Sequence, residues 1–256
     1  METLVDLHCH ILPGIDDGSR DVETSLHLAR QAVLDGVTHI LATPHHLDND
    51  YVNHARDVER LASDFQARLD QEGIKLKVFP GQEVHINGDL LDHYDDLLGI
   101  DADKHYMLLE LPHNDVPRYT KQLIFDLKKK GTTPVIVHPE RNKVIQDHLG
   151  LLYEFIEAGA LAQLTSTSYL GGFGSHVEEI SKQLVEHNLV QVLASDAHAL
   201  KGRGFVLSEA FDKLAKEFGQ AKAQSFETNA ERLLNGQRVI AKDFSKVEKK
   251  KRFFFF

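Results

Sequence analysis

Short apolar runs alternate with longer amphipathic stretches from one end of the chain to the other. Seven runs, at residues 4–8, 37–43, 76–79, 106–111, 134–138, 161–165 and 190–194, are mostly rich in Val, Ile and Leu, as strands covered on both faces should be. Between them apolar residues recur at helical spacing: Val22, Leu26, Ala29 and Val33, then Val58, Leu61, Phe65 and Leu69, with Gly36 and Gly73 as stops. Leu123 and Leu127 precede Gly131, Leu149, Leu152 and Ile156 precede Gly159, and Val177, Ile180 and Leu184 lead into the last strand. Phe211, Leu214 and Phe218 continue the series, and a final helical stretch ends near Leu234, before Gly236.

A repeating strand–helix–strand pattern with short connections demands parallel strands and right-handed crossovers, in an open doubly wound sheet or a closed barrel. No linker rich in Pro, Gly or Ser divides the chain, and no 20–50-residue period repeats in it. One domain is expected over 1–245, with residues 246–256 as a flexible tail. The tail holds Lys249, Lys250, Lys251 and Arg252 followed by Phe253 to Phe256, a sequence like the end of an amphipathic membrane anchor. An incidental, solvated tail is the equally weighted alternative.

Composition narrows the function classes. The chain of 256 residues carries 29 Lys and Arg against 39 Asp and Glu, a formal net charge of −10, which argues against a general nucleic-acid binder. One cysteine excludes a disulfide framework and fits a reducing compartment. No apolar run is long enough to span a membrane and no secretory signal opens the chain, so a cytoplasmic location is expected. The 16 histidines are the oddity, and several sit at strand ends.

The first strand ends in His8-Cys9-His10, whose two imidazoles fall on one side of an extended chain. The second ends in Thr43-Pro44-His45-His46, the third runs into Gly81-Gln82-Glu83, and the fourth ends in Glu110. His138-Pro139-Glu140-Arg141 follows the fifth strand, and Ser195-Asp196-Ala197-His198 follows the seventh. The sixth delivers Thr165 and Ser166 instead. Each residue alone is weak evidence, but six of seven strand ends carrying His, Glu or Asp is the pattern of a barrel whose chemistry gathers at its carboxyl end. His and carboxylate ligation without thiolate suits Mn²⁺, Fe²⁺ or Zn²⁺, and so many donors imply two or three ions, with Glu83 the best candidate to bridge a pair. Cys9, between two ligand candidates, should point away from them into the core.

The combination His8-x-His10, Thr43-Pro44-His45, Gly81-Gln82-Glu83, Glu110, His138-Pro139-Glu140-Arg141 and Ser195-Asp196-Ala197-His198 resembles the PHP (polymerase and histidinol phosphatase) family over nearly the whole chain. Within it the chain is most similar to the manganese-dependent protein-tyrosine phosphatases of Gram-positive capsule and exopolysaccharide operons, the CpsB/YwqE type. The resemblance implies an α/β fold, a single-domain distorted (β/α)7 barrel with a trinuclear metal site. Carried over by position, the ligands would be His8, His10, His45, Glu83, Glu110, His138, Asp196 and His198, completed by Asp17, Arg141 and Arg203. It also implies a phosphotyrosine protein as partner, a membrane-associated tyrosine kinase controlling polysaccharide export.

On this reading a hydroxide generated by the metals attacks phosphorus, the two arginines hold phosphate oxygens, and Asp17 either protonates the leaving phenolate or orients a water. Without the resemblance, Arg141 pairs with a neighbouring acid and Arg203 is solvated. A cysteine-dependent phosphatase needs Arg six positions after its Cys, where Ile15 stands; the paired Asp of a phosphoaspartate enzyme and a Gly-rich phosphate loop are absent too. Two other readings remain, a small-molecule phosphomonoesterase of the histidinol-phosphatase kind and a regulatory binding protein that retains its metals without turnover. His27, His54, His93 and His187 fall in helical stretches and are expected at the surface.

Overall fold

The structure, a computed structural model, describes residues 3–199, 201–239 and 243–247. All strand pairs are parallel. β1 (Val5–Cys9) is followed by α1 (Val22–Leu34), β2 (His39–Ala42), β3 (His45–His46), α2 (Ala55–Gln71), β4 (Lys77–Pro80), β5 (Glu83–His85) and β6 (Tyr106–Glu110). Next come α3 (Thr120–Lys129), β7 (Thr133–Val137), α4 (Lys143–Asp147), α5 (Gly150–Glu157), β8 (Leu161–Thr165) and α6 (Ser166–Tyr169). The chain closes with α7 (Ser175–Glu186), β9 (Val192–Ala194), α8 (Leu207–Phe218) and α9 (Gln220–Leu234).

All seven expected strand positions are present, but the second and third are each split. Pro44 interrupts the second and Gly81-Gln82 the third, so the ladder divides into β1-β2-β4 and β3-β5-β6-β7-β8-β9. Proline has no N–H for a ladder, which is why a break falls there. The two sheets stay joined, because Gly81 N donates to Ala42 O at 2.9 Å and Glu83 N to Pro44 O at 3.0 Å. At the other edge, a parallel bridge links Cys9 to Ala197 beyond β9, with His10 N donating to Ala197 O and Asp196 N to His8 O.

Helix boundaries follow local chemistry. Asp21 caps α1 by accepting from Thr24 N at 2.8 Å, and Gly36 takes a positive φ just past its end. α2 turns Val58, Ala62, Phe65 and Leu69 inward, the spacing seen in the sequence.

Alternating residues build two apolar layers. Met107, Leu109 and Ile136 pack outward beneath the helices, while Tyr106, Leu108, Val135 and Val137 pack inward with Val5 and Leu7. Ala230 and Leu233 of α9 join that inner cluster, and α9 packs on β1 and β9. A bulge between Asp6 and Cys9 inserts one extra residue on β1, since Asp6 pairs with Ile40 and Cys9 with Ala42. The bulge re-aims the strand, so that Val5 and Leu7 feed the inner core and His8 and His10 the site.

Residues 243–247 lie along the body, with Ser245 N donating to His187 O at 3.1 Å and the Lys246 ammonium 4.9 Å from the Tyr153 ring centre. The tail's cluster of four basic residues and four Phe lies outside the described residues. No helix among the described residues is long and apolar enough to cross a membrane.

Candidate metal centre

The residues expected at the site come together in one cleft at the carboxyl ends of the strands. From β1, His8 Nε2 lies 3.2 Å from Glu83 Oε2 and 3.5 Å from Asp196 Oδ1. His10 Nε2 stands at the same two distances from the same two atoms, and the two Nε2 atoms are 3.2 Å apart. From the split strands, His45 Nδ1 approaches Glu83 Oε2 at 3.1 Å and Glu110 Oε2 at 3.9 Å. His138 Nε2 meets Glu83 Oε1 at 2.8 Å and Glu110 Oε1 at 4.0 Å. Asp17 Oδ1 sits 3.2 Å from His198 Nε2 and 3.4 Å from His45 Nε2.

These contacts form three overlapping donor groups: His8, His10 and Asp196; His45, Glu83 and Glu110; and His10, Asp17, His45 and His198. His10 and His45 each belong to two of them, so the cluster is continuous. Glu83 reaches three imidazoles through Oε2 and a fourth through Oε1.

Outer contacts settle which imidazole nitrogen faces inward. His8 Nδ1 bonds Gln163 Oε1 at 2.8 Å, His10 Nδ1 bonds Asp16 Oδ2 at 2.8 Å, and His198 Nδ1 bonds the Asp196 backbone carbonyl at 3.0 Å. An acceptor on Nδ1 demands that Nδ1 donate, which leaves each Nε2 as a lone pair turned to the centre. Glu83 Oε2, Asp196 Oδ1 and His45 Nδ1 are buried and make no hydrogen bond. Buried lone pairs facing one another are costly without a cation, so this donor set fits divalent metal ions.

Burial opposes a proton on His45, yet Glu83 and Asp17 outweigh it and lift the imidazole to about 9. For His198, burial and the charge of His10 hold the pKa near 4. The neighbouring His198 and His45 imidazoles keep the Asp17 carboxyl well below the usual carboxylate range.

Two arginines close one side. Arg141 Nη2 contacts Asp196 Oδ2 at 2.6 Å and Arg203 Nη2 contacts it at 2.9 Å, and the Nε–H of each is buried without a partner. Arg141 therefore pairs with Asp196, not with the adjacent Glu140, and Arg203 is not simply solvated. Both line a cavity of about 200 Å³ with Asp17, His45, Glu83, Glu110, His138 and Asp196.

Backbone geometry at two site positions is costly. His138 has φ 34 and Asp196 has φ 51, a left-handed conformation for non-glycine residues, and His138 also precedes a proline. Gly18 has the opposite reason for its identity, since a Cβ there would lie 2.2 Å from His10 O.

Sequence reasoning missed Gln163, Asp16, His85 and His113. Gln163 sits on the inner face of β8, two residues past inward Leu161, and that alternation was its one signal. His85 bonds Glu110 Oε2 at 2.9 Å from the next inward position after Glu83, and His113 lines the cavity from the loop after β6. Cys9 behaves as expected, fully buried, its Sγ 3.5 Å from Ala197 O. His27, His54 and His93 are exposed, but His187 is half-buried and bonds Ser245 Oγ at 2.8 Å.

Comparison with known proteins gives one consistent answer. The model of a family described as capsular polysaccharide synthesis, CpsB/CapC, matches residues 4–235. The chain is 43% identical to tyrosine-protein phosphatase YwqE of Bacillus subtilis, over 99% of this chain and 100% of that protein. It is 34% identical to the putative tyrosine-protein phosphatase CapC of Staphylococcus aureus, over 98% and 99% of the two chains. A crystal structure from work on YwqE and the Streptococcus pneumoniae protein CpsB, described as unique metal-dependent tyrosine phosphatases, superposes with a TM-score of 0.93 at 43% identity, covering 96% of this chain and 100% of that one. A β-aspartyl dipeptidase from Fervidobacterium islandicum shares the fold alone, at 15% identity, a TM-score of 0.53 and coverage of 94% and 75%.

Proposed function

The chain belongs to the CpsB/CapC family of capsular polysaccharide synthesis, and on that premise we propose that it is a metal-dependent protein-tyrosine phosphatase. The observation that carries the reading is the ring of inward lone pairs from His8, His10, His198, Glu83 and Asp196 beneath Arg141 and Arg203. A thiol route is poorly served, because burial pushes the Cys9 thiol well above its ordinary pKa.

His8, His10, His45, Glu83, Glu110, His138, Asp196 and His198 would hold the ions, and Mn²⁺ suits their nitrogen and oxygen donors. Bound divalent ions supply charge neutralisation and an acidified water. Arg141 and Arg203 orient the phosphate, offering the planar donors left over from Asp196. Asp17, held ionised, suits an orienting role better than that of an acid. A tyrosine phenolate, with a conjugate acid of pKa about 10, leaves with less need of an acid than an alkoxide would.

The substrate would be phosphotyrosine on a membrane-associated kinase of polysaccharide export, met at the cytoplasmic face. Contact of the basic, Phe-rich tail with that membrane belongs to the same proposal. Flotation of the full chain and of one ending at Val247 with anionic vesicles tests it, and equal recovery removes it.

The test of function is phosphate release at neutral pH with Mn²⁺ from a phosphotyrosine peptide and from histidinol phosphate, with His138→Ala as control. Preference for the peptide, lost in the control, is expected. Preference for histidinol phosphate overturns the substrate, and no release from either points to the binding-protein reading.

A further inference from the structure

The sixth strand position sends no His, Asp or Glu to the centre; its extension carries an aromatic ring to the side of Arg141 instead. After β8 and α6 the chain runs through Gly171-Gly172-Phe173-Gly174, and the Phe173 ring lies 5.4 Å from the Arg141 guanidinium carbon. A large apolar side chain that keeps 37% of its surface in solvent beside a phosphate-facing arginine asks for an explanation.

The loop is tied down. Gly171 N donates to Ser168 O at 3.0 Å, Gly172 N to Thr167 O at 2.8 Å and Gly174 N to Gly171 O at 2.9 Å. A Cβ on Gly172 would lie 2.5 Å from Thr167 Cγ2, so glycine is required for that close seat on α6. Phe173 is therefore presented at a set place, with its ring beside the Arg141 guanidinium.

The geometry points to Phe173 as a specificity-determining residue that contacts the aryl group of the substrate and selects aryl over alkyl phosphate esters. The inference rests on the phosphotyrosine reading above. A phosphate held by Arg141 would place its ester oxygen beside the guanidinium whose carbon lies 5.4 Å from the Phe173 ring, and a phenyl group on that oxygen could then meet Phe173 in an offset or edge-to-face contact. An alkyl phosphate, with no ring, gains nothing there.

The test measures kcat and KM of the Mn²⁺-loaded protein for a phosphotyrosine peptide and a phosphoserine peptide of the same sequence, with inorganic phosphate as competitive inhibitor. Phenolate leaves more readily than alkoxide in any variant, so the informative quantity is the change in the ratio. Phe173→Ala should raise KM for the phosphotyrosine peptide about tenfold, with kcat, the phosphoserine KM and inhibition by phosphate unchanged, and Phe173→Tyr should restore it. An unchanged ratio in Phe173→Ala overturns this role while leaving the phosphatase reading intact. An equal loss on both peptides, or weaker phosphate inhibition, overturns it in favour of simple support of Arg141. A wild-type protein that prefers the phosphoserine peptide overturns both readings.

Discussion

Gln163 Oε1 lies 2.8 Å from His8 Nδ1, and that bond decides which His8 nitrogen faces the metal centre. Gln163→Leu keeps the volume and removes the acceptor, freeing the ring to turn or change tautomer. Manganese affinity is expected to fall about 10–100-fold with the melting behaviour of the metal-free protein nearly unchanged. Titration calorimetry of wild type and variant checks this, and equal affinities would mean that packing alone orients His8.

Arg141 and Arg203 share one carboxylate oxygen of Asp196, so their effects should not add. Arg141→Ala and Arg203→Ala are each expected to lower turnover about 100-fold with metal content retained, and the double variant to lose less than the product. Turnover paired with metal analysis of each sample decides it. Metal loss in either single variant would show that the arginines chiefly hold Asp196.

Metal removal is expected to lower stability, because the convergent donors of Glu83, Asp196 and His45 then lose the ions that would bind them together. At a hundredfold excess of free ion over Kd, one site contributes about 2.7 kcal/mol, a Tm rise of about 5–10 °C for a chain of this size. Thermal melts in chelator and in Mn²⁺ measure it. Glu83→Ala should lose most of the rise, since Glu83 touches four of the imidazoles.

His46 is fully buried and neither ring nitrogen has a hydrogen-bond partner. Burial holds its pKa near 4, against the pull of Asp96 4.0 Å away. Below pH 6.5 the unfolded chain takes up a proton there that the folded protein refuses. The contribution is thus complete above 6.5 and is lost as pH falls toward 4, to at most about 3 kcal/mol. Urea melts in chelator should show a flatter acid limb for His46→Phe than for wild type; parallel limbs would assign acid sensitivity elsewhere.

Much of this was legible in the chain. Strands covered on both faces read as apolar runs, and side chains at their carboxyl ends stand out because His and Asp are otherwise rare there. The bulge at Asp6–Cys9 was hidden, since nothing local marks an extra residue whose pairing partner is Ala42. The strand break was half visible in Pro44. Gln163 and Asp16 escaped because they act on imidazoles from another strand and from a turn. The left-handed backbone of His138 and Asp196 was hidden as well, because propensity disfavours it and only the assembled site compensates.

The bridge between Cys9 and Ala197 joins residues 188 positions apart, and the donors on either side of it belong to one cluster. A growing chain therefore exposes His8 and His10 long before Asp196 and His198 exist to complete their group. Translation proceeds at about 5–20 residues per second, so about 10–40 s separate the synthesis of His8 and His10 from that of Asp196 and His198. The group of His8, His10 and Asp196 therefore exists only once the last strand has been made, however early its first two donors leave the ribosome.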